Sequence, residues 1–257
     1  MAKNVDFLIK KYLENRPMFL ALIRTSETLL FLKHSNLIKK PVLDFGCGDG
    51  FFTETVFNKK NINVGLDIHD SRIRIAEKEK IYKQVAVYDE LRIPFPDNYF
   101  TTIISNCVLE HIPNLDLALA EIYRVLKPGG YFLTTLMTNK WNDYLFGKKL
   151  LGKWYVEYMK KKQAHYNLFS YQQWFDLFER SKFKIIKSIG YLNKKNSLFI
   201  DLAHYLSLPS LITYKLFNNW QLFPKLTNLL WQPYISKNIN IDVKVNESSA
   251  LFFILKK

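Results

Sequence analysis

The chain has 257 residues with an apolar fraction of 48%, including 20 Phe, 15 Tyr and 5 Trp, which excludes intrinsic disorder and supports one large domain or one domain with additions. Lys and Arg number 37 against 23 Asp and Glu, a formal net charge of +14 that admits nucleic acid, an anionic membrane surface or an acidic substrate without choosing among them. Two cysteines, Cys47 and Cys107, exclude a disulfide framework.

In chain order, residues 4–40 read as helical, with Leu8, Ile9, Tyr12 and Leu13 recurring at helix spacing and Leu22, Ile23, Leu29, Leu30 and Leu32 repeating the pattern. Pro17 marks a start or kink between two helices, and Pro41 ends the second. A short apolar strand at 42–45 runs into Gly46-Cys47-Gly48-Asp49-Gly50, with a helix expected at 51–59. Strands follow at 63–68, 85–88 and 101–105, with a charged helix at 71–80 between the first two. Leu115, Leu119, Ile122, Tyr123 and Leu126 form one stripe of a helix over 114–126, which Lys127-Pro128-Gly129-Gly130 stops. A fifth strand at 131–136 leads into a long loop, then Ser170 caps a helix at 171–181. Strands at 183–189 and 249–255 enclose an aromatic, Leu-rich stretch read as a helical insertion. Strands apolar on both faces and alternating with helices predict an α/β, Rossmann-like three-layer sandwich. Its sheet is seven-stranded and mostly parallel, with an antiparallel last strand, N-terminal helices, and the helical insertion before that strand.

The charge is unevenly placed. Residues 1–40 carry 8 basic and 3 acidic side chains, 41–140 carry 11 and 13, and 141–257 carry 18 and 7, so the excess sits in the flanks. The N-terminus lacks the ~7–15-residue apolar run of a secretory signal. The most apolar later stretch, 197–214, is broken by Asp201, His204 and Pro209 before reaching the roughly 20 residues a spanning helix needs. A cytoplasmic location is therefore expected, with peripheral contact at the inner face of the membrane as an addition.

The glycine loop is the strongest motif. Glycines let the chain turn sharply and let a ligand approach the main chain. A lone Gly-x-Gly is weak, and an ordinary strand-to-helix turn with an N-capping Asp is the bland alternative. Two features strengthen it: the strand–loop–helix context, and Asp67 at the end of the next strand, about 20 residues on, where a carboxylate reads ribose hydroxyls. The third glycine falls one residue early for a dinucleotide fingerprint, and no Gly-x-x-x-x-Gly-Lys-Ser/Thr run is present.

At these residues the sequence resembles the class I S-adenosylmethionine-dependent methyltransferases, and more narrowly the type 11 methyltransferases. The resemblance runs on through Asp89-Glu90-Leu91-Arg92-Ile93-Pro94-Phe95-Pro96-Asp97-Asn98-Tyr99-Phe100, Ser105-Asn106-Cys107-Val108-Leu109-Glu110-His111-Ile112 and Glu121-Ile122-Tyr123-Arg124-Val125-Leu126-Lys127-Pro128-Gly129-Gly130. It implies that Asp44 and the backbone of Gly46, Cys47 and Gly48 hold the methionine part of S-adenosyl-L-methionine. It further implies that Asp67 binds the ribose, Ile68 packs on adenine, Asp89 and the Glu90 N–H meet the adenine edge, and Asn106 faces the cofactor. Thr101 stands where the family usually has Asp, a structural position. The chain as a whole is similar to bacterial methyltransferases with the same N-terminal helices and late insertion. The expected domains are an N-terminal helical cap at 1–40, a methyltransferase domain at 41–196 and 246–257, and the insertion at 197–245.

Methyl transfer from a sulfonium needs alignment and exclusion of water more than a base. The candidate bases are His111, soon after the fourth strand, and His165, in the loop after the fifth. Each has the alternative of a loop histidine tied to backbone. Tyr166 and Trp141 are the candidate acceptor contacts, Glu110 is read as facing solvent or a backbone N–H, and Cys107 as a small packing residue. The histidines and cysteines show no metal-ligand spacing. The expected acceptor is a small molecule, lipid-linked intermediate or glycan. Basic, aromatic residues 197–235 suit either a lid over the acceptor or a membrane contact. An RNA-modifying enzyme is disfavoured, because Ser105-Asn106-Cys107-Val108 stands where a base-methylating enzyme carries Asn/Asp-Pro-Pro-Tyr/Phe, and no Pro-Cys pair occurs. A non-catalytic S-adenosylmethionine-binding protein is the remaining alternative.

Overall fold

A computed structural model describes residues 4–57, 59, 62–69, 71–217, 220–221 and 223–257. Position 58 of the expected 51–59 helix, and positions 218, 219 and 222 of the insertion, lie outside the described residues.

Two helices open the chain, α1 (Val5–Asn15) and α2 (Met18–Lys33). Asn4 caps α1 by accepting the Asp6 N–H, and Pro17 begins α2. The second helix stops well short of Pro41, and a 3-10 turn at Ser35–Leu37 intervenes. The core then alternates β1 (Val42–Phe45), α3 (Phe51–Phe57), β2 (Val64–Asp67), α4 (Ser71–Lys78), β3 (Gln84–Val87), β4 (Phe100–Asn106), α5 (Leu115–Val125) and β5 (Leu126–Met137). The 127–130 run does not separate α5 from the fifth strand. The strand begins at Leu126, and its pairing with β4 slips from Phe100–Leu126 to Thr102–Tyr131, so Lys127 to Gly130 form an irregular excursion within it.

The stretch read as a long loop after β5 contains α6 (Lys140–Tyr144) and α7 (Phe146–Lys162), the latter bent at Gly152. Helix α8 (Tyr171–Arg180) follows, closed by a reciprocal capping box between Ser170 and Gln173. Strand β6 (Lys184–Gly190) and β7 (Ala250–Lys256) enclose α9 (Lys194–Leu206), α10 (Leu208–Phe217) and α11 (Pro224–Asn238). The helical insert thus begins at Lys194, three residues before the expected 197.

The seven strands form one sheet in the order β3-β2-β1-β4-β5-β7-β6, and only β7 runs antiparallel. Alternation along the strands explains the layering. Leu43, Phe45, Phe132, Leu251, Phe253 and Leu255 face α5 and α8, while Val42, Ile104, Leu133, Phe252 and Ile254 face the opposite layer of α1, α2, α3, α9 and α11. Chain direction from β1 runs outward through β2 and β3, then returns to β4 on the other side. The resulting crevice at the strand C-termini, between β1 and β4, is where open α/β sheets take ligands. Motif residues outside that crevice prove to be scaffolding. Arg124 donates to both carboxylate oxygens of Glu121, to Asp97, and to the carbonyls of Ile93 and Phe95, fastening the β3–β4 connection to α5.

Candidate active site

The glycine loop leaves β1 at Gly46, whose φ is +77, and Gly48 follows at φ +53. A Cβ on Gly46 would lie 2.3 Å from a Val108 methyl, whereas one on Gly48 would meet nothing within 4 Å. The first glycine is therefore required by packing, and the second leaves open main chain for a ligand. The N–H groups of Gly46 and Cys47 both donate to the Leu66 carbonyl, at 2.8 and 3.0 Å, and the Gly48 N–H donates to Asp67 Oδ2 at 2.6 Å. Any backbone contact to a methionine moiety thus runs through carbonyl oxygens.

Asp44 is buried beneath the loop. Its Oδ2 accepts the Thr53 hydroxyl and, at 2.6 Å, the Tyr82 hydroxyl, so a cofactor ammonium would be met by Oδ1. Burial pushes this carboxyl up to about 6, against the pull of the two hydroxyl donors. Burial likewise pushes the Cys47 thiol up. Asp67, at the end of β2, uses Oδ1 to accept the Ile68 N–H at 2.8 Å. Ile68 is 39% exposed beside it. At the end of β3, Asp89 Oδ1 accepts the N–H groups of Leu91 and Arg92, which hold the carboxyl below its usual range. Glu90 occupies that turn at φ +65, and Leu91 is exposed. The open main chain at Gly48, two carboxylates on adjacent strand ends and exposed Ile68 fit a nucleoside-bearing cofactor. From the other side, Arg16 between α1 and α2 pairs with Asp49 at 2.5 Å and stacks over Phe51.

The connection after β4 packs onto this loop through Val108 and turns inward. It lines a cavity of about 250 Å³ together with α2, α6, α9 and the end of α7. Here the structure departs from several readings of the sequence. Glu110 does not face solvent: it is 0% exposed, and although neither carboxylate oxygen has a hydrogen-bond partner of good geometry, the backbone N–H groups of Glu110 itself and of Met137 lie close enough to draw its pKa down. His165 lies just past the C-terminus of α7 rather than in a long loop, stacked on His111 at 4.9 Å between ring centroids. His111 Nδ1–H donates to the Ala164 carbonyl at 3.1 Å. Burial lowers both imidazoles, His165 to about 3, so both rings are neutral near pH 7. Trp141 lines the cavity, its indole N–H donating to Gln163. Tyr166 does not: it is 58% exposed and outside the cavity wall. The left-handed Ala164 (φ +50) sets the chain direction at the end of α7, and the two residues beyond it diverge, one inward and one outward.

Asn106, expected to face the cofactor, donates at 3.0 Å to Glu27 on α2. Glu27 also receives Arg24 at 2.7 Å, the Tyr191 hydroxyl at 2.9 Å and the Cys107 thiol at 3.0 Å. Cys107 is accordingly more than a packing residue, although burial pushes its thiol well above the usual range and away from thiolate chemistry. Glu27, Arg24 and Gln163 were absent from the sequence reading, and Asp201 and His204 entered it only as breaks in an apolar stretch. A polar run, Arg24 to Thr28, between two apolar halves of α2 was the one available signal. Among the described residues, no group of three or more His, Cys, Asp or Glu side chains is placed to hold a metal ion.

A glycine loop at the switch point, with acidic residues ending the next two strands, defines a nucleoside-cofactor protein of the Rossmann-like methyltransferase type. The methyltransferase-domain model of the type 11 family matches residues 43–134, from β1 to β5. A demethylmenaquinone methyltransferase of Lactiplantibacillus plantarum is 31% identical over 167 residues, covering 56% of this chain and 70% of that protein. The chain belongs to this methyltransferase family, whose cofactor is S-adenosylmethionine. A sterol 24-C-methyltransferase of Aspergillus fumigatus is 32% identical over 149 residues, 54% of this chain but only 39% of that protein, so the chain spans well under half of it. A Haemonchus contortus phosphoethanolamine N-methyltransferase 2, solved with phosphomonomethylethanolamine and S-adenosylhomocysteine, superimposes with a TM-score of 0.56 at 21% identity. That match covers 90% of this chain and 52% of the other, and at this identity it speaks to the fold alone.

Proposed function

We propose that this protein transfers a methyl group from S-adenosylmethionine to a small acceptor with an apolar body. The observation that carries the reading is that the connection after β4 packs Val108 against Gly46 and, in its neighbours Cys107, Glu110 and His111, lines the cavity. S-adenosylmethionine supplies an activated methyl group on a sulfonium. Asp67 and Asp89 orient its nucleoside and the 46–48 loop its amino-acid end. Asp44 holds the loop to α3 and Tyr82 from below, and α2 and α9 shut water out of the cavity. At about 250 Å³ the cavity is smaller than the ~300–1,000 Å³ of typical drug-sized sites, and it suits one ring or headgroup, with any longer tail outside. The relatives named for quinone and sterol acceptors support an acceptor of that shape. Calorimetry with S-adenosylhomocysteine, followed by turnover with radiolabelled S-adenosylmethionine on extracts, tests the reading. Binding in the micromolar range and a labelled organic-soluble product are expected. Binding with no labelled product would favour a non-catalytic role, and labelled RNA would favour the nucleic-acid alternative.

A second reading concerns where the acceptor comes from. Ile200, Asp201 and His204 of α9 face the cavity as a lid would, but α10 buries none of its residues. Leu211, Ile212, Leu216 and Phe217 on α10 and Leu226, Leu229 and Leu230 on α11 are exposed, with Lys215, Lys225 and Lys237 among them. No helix among the described residues is long and apolar enough to cross a membrane. The combination of exposed apolar residues and lysines supports peripheral docking on an anionic bilayer at its cytoplasmic face, delivering a lipid-linked acceptor. In flotation with anionic liposomes at low salt the protein should rise with the lipid and be released by high salt. Protein left at the bottom of the gradient at low salt removes this reading.

A further inference from the structure

The cavity contains more polar atoms than the fold satisfies. Both oxygens of Glu110, Nδ1 of His165 and Nε2 of His204 are buried without a hydrogen-bond partner of good geometry, and all three side chains line the same space. Buried polar atoms in native proteins are nearly always paired, so a concentration of orphans around one cavity points to a ligand that supplies the partners, and toward Glu110 that partner is a donor. The rest of the wall mixes apolar side chains, among them Phe19, Leu20, Ile23, Met137 and Ile200, with Arg24, His111, Gln163 and Asp201. We propose that the acceptor enters by a hydroxyl group on an apolar ring and that the Glu110 carboxylate accepts that hydroxyl's proton. This rests on the methyl-transfer reading above and names the class of atom methylated, an oxygen.

A hydroxyl is favoured over an amine because it enters neutral, so no charge is stripped of water in the buried space. Arg24 stands in the same wall, its charge countered by Glu27 at 2.7 Å. His165, being neutral, adds no further cation. In the proton transfer the O–H bond breaks, its electron pair stays on the acceptor oxygen, and Glu110 becomes a neutral carboxylic acid that later releases the proton to water.

The groups facing Glu110 are known from each packed element. Arg24 and Glu27 lie on α2, Cys107 and His111 in its own connection, and His165 beyond α7. Tyr191 follows β6, and Asp201 and His204 lie on α9. Burial pushes Glu110 up to about 7, opposed by its own backbone N–H, by Arg24 and by the Met137 N–H, and reinforced by Glu27. A base in that range works at neutral pH without being permanently protonated. Because the folded value exceeds the unfolded one, this group's contribution to stability is fully present below pH 4.5 and lost as the pH rises through about 7.

The test needs no cofactor. The full chain is titrated calorimetrically with 4-alkylphenols, the matching anisoles and the matching benzylamines. Phenols should bind at least about tenfold tighter than their methyl ethers, the value of one well-made buried hydrogen bond to a charged group. E110L should reduce that preference to about threefold or less, while E110Q, which keeps an acceptor oxygen, should retain most of it. The thermal stability of E110L should also lack the loss between pH 5 and pH 8 assigned to this residue. An equal preference in wild type and E110L, tighter binding of benzylamines, or no binding of phenols overturns the proposal. S-adenosylhomocysteine binding, measured in parallel, separates the failures: if it binds and the phenols do not, only the hydroxyl inference falls.

Discussion

Asp67→Ala is expected to weaken S-adenosylhomocysteine binding by about 100-fold, roughly 3 kcal/mol, measured by calorimetry on protein shown to be folded by circular dichroism. Two contributions add. Charge-assisted hydrogen bonds are worth ~1.5–3 kcal/mol each, and the ribose contact proposed for the carboxylate at the end of β2 is of that kind. The same carboxylate accepts the Gly48 N–H at 2.6 Å, so its removal also loosens the one stretch of loop backbone that stands open. Asp67→Asn keeps an acceptor for Gly48 and should lose only about tenfold, since the charge goes but the loop stays anchored. If Asp67→Ala binds as tightly as the wild type, the ribose assignment is wrong.

Glu27→Ala is expected to be the most destabilising single change in the site, by about 3–5 kcal/mol, which for a chain of this size lowers the melting temperature by roughly 10 °C. Arg24, Asn106, Cys107 and Tyr191 all donate to this one carboxylate, and Glu27 has no exposure to water that would replace it. Truncation leaves Arg24 without its counter-charge and three further donors without an acceptor. Glu27→Gln retains one acceptor oxygen and should cost less than half as much. Urea denaturation gives both values, and a loss under about 1 kcal/mol for the alanine variant would show that the cluster is satisfied by water instead.

The part of the site proposed for the cofactor was legible in the sequence because it is local. Gly46, Gly48, Asp67 and Asp89 lie at strand ends whose spacing is set by the strand–helix repeat, and parallel pairing of β1 with β2 and β2 with β3 brings the ends together automatically. The cavity proposed for the acceptor is assembled from segments far apart in the chain. Glu27 and Asn106 are 79 residues apart, and Glu27 and Tyr191 are 164 apart. A lone carboxylate in an apolar helix carries no local pattern that says which donors will meet it.

Helix α7 escaped the reading for a related reason. Leu150, Leu151, Trp154 and Tyr158 face outward among lysines, and Gly152 breaks the helix, so no apolar stripe at 3.6-residue spacing marks it. The burial of Glu110 was missed because a carboxylate beside a histidine after a strand suggests a side chain pointing into water. The 3-10 turn at Leu109–His111 instead carries it inward.

The sequence by itself determined the layered α/β core, the cofactor loop and its acidic partners, and the concentration of positive charge in the flanks. Periodicity and short-range spacing encode all of these. Only the tertiary structure decided the cavity behind the β4 connection, the burial of Glu110 and the Glu27 cluster. Burial and hydrogen-bond satisfaction are properties of packed surfaces from several segments, and they do not exist until those segments meet.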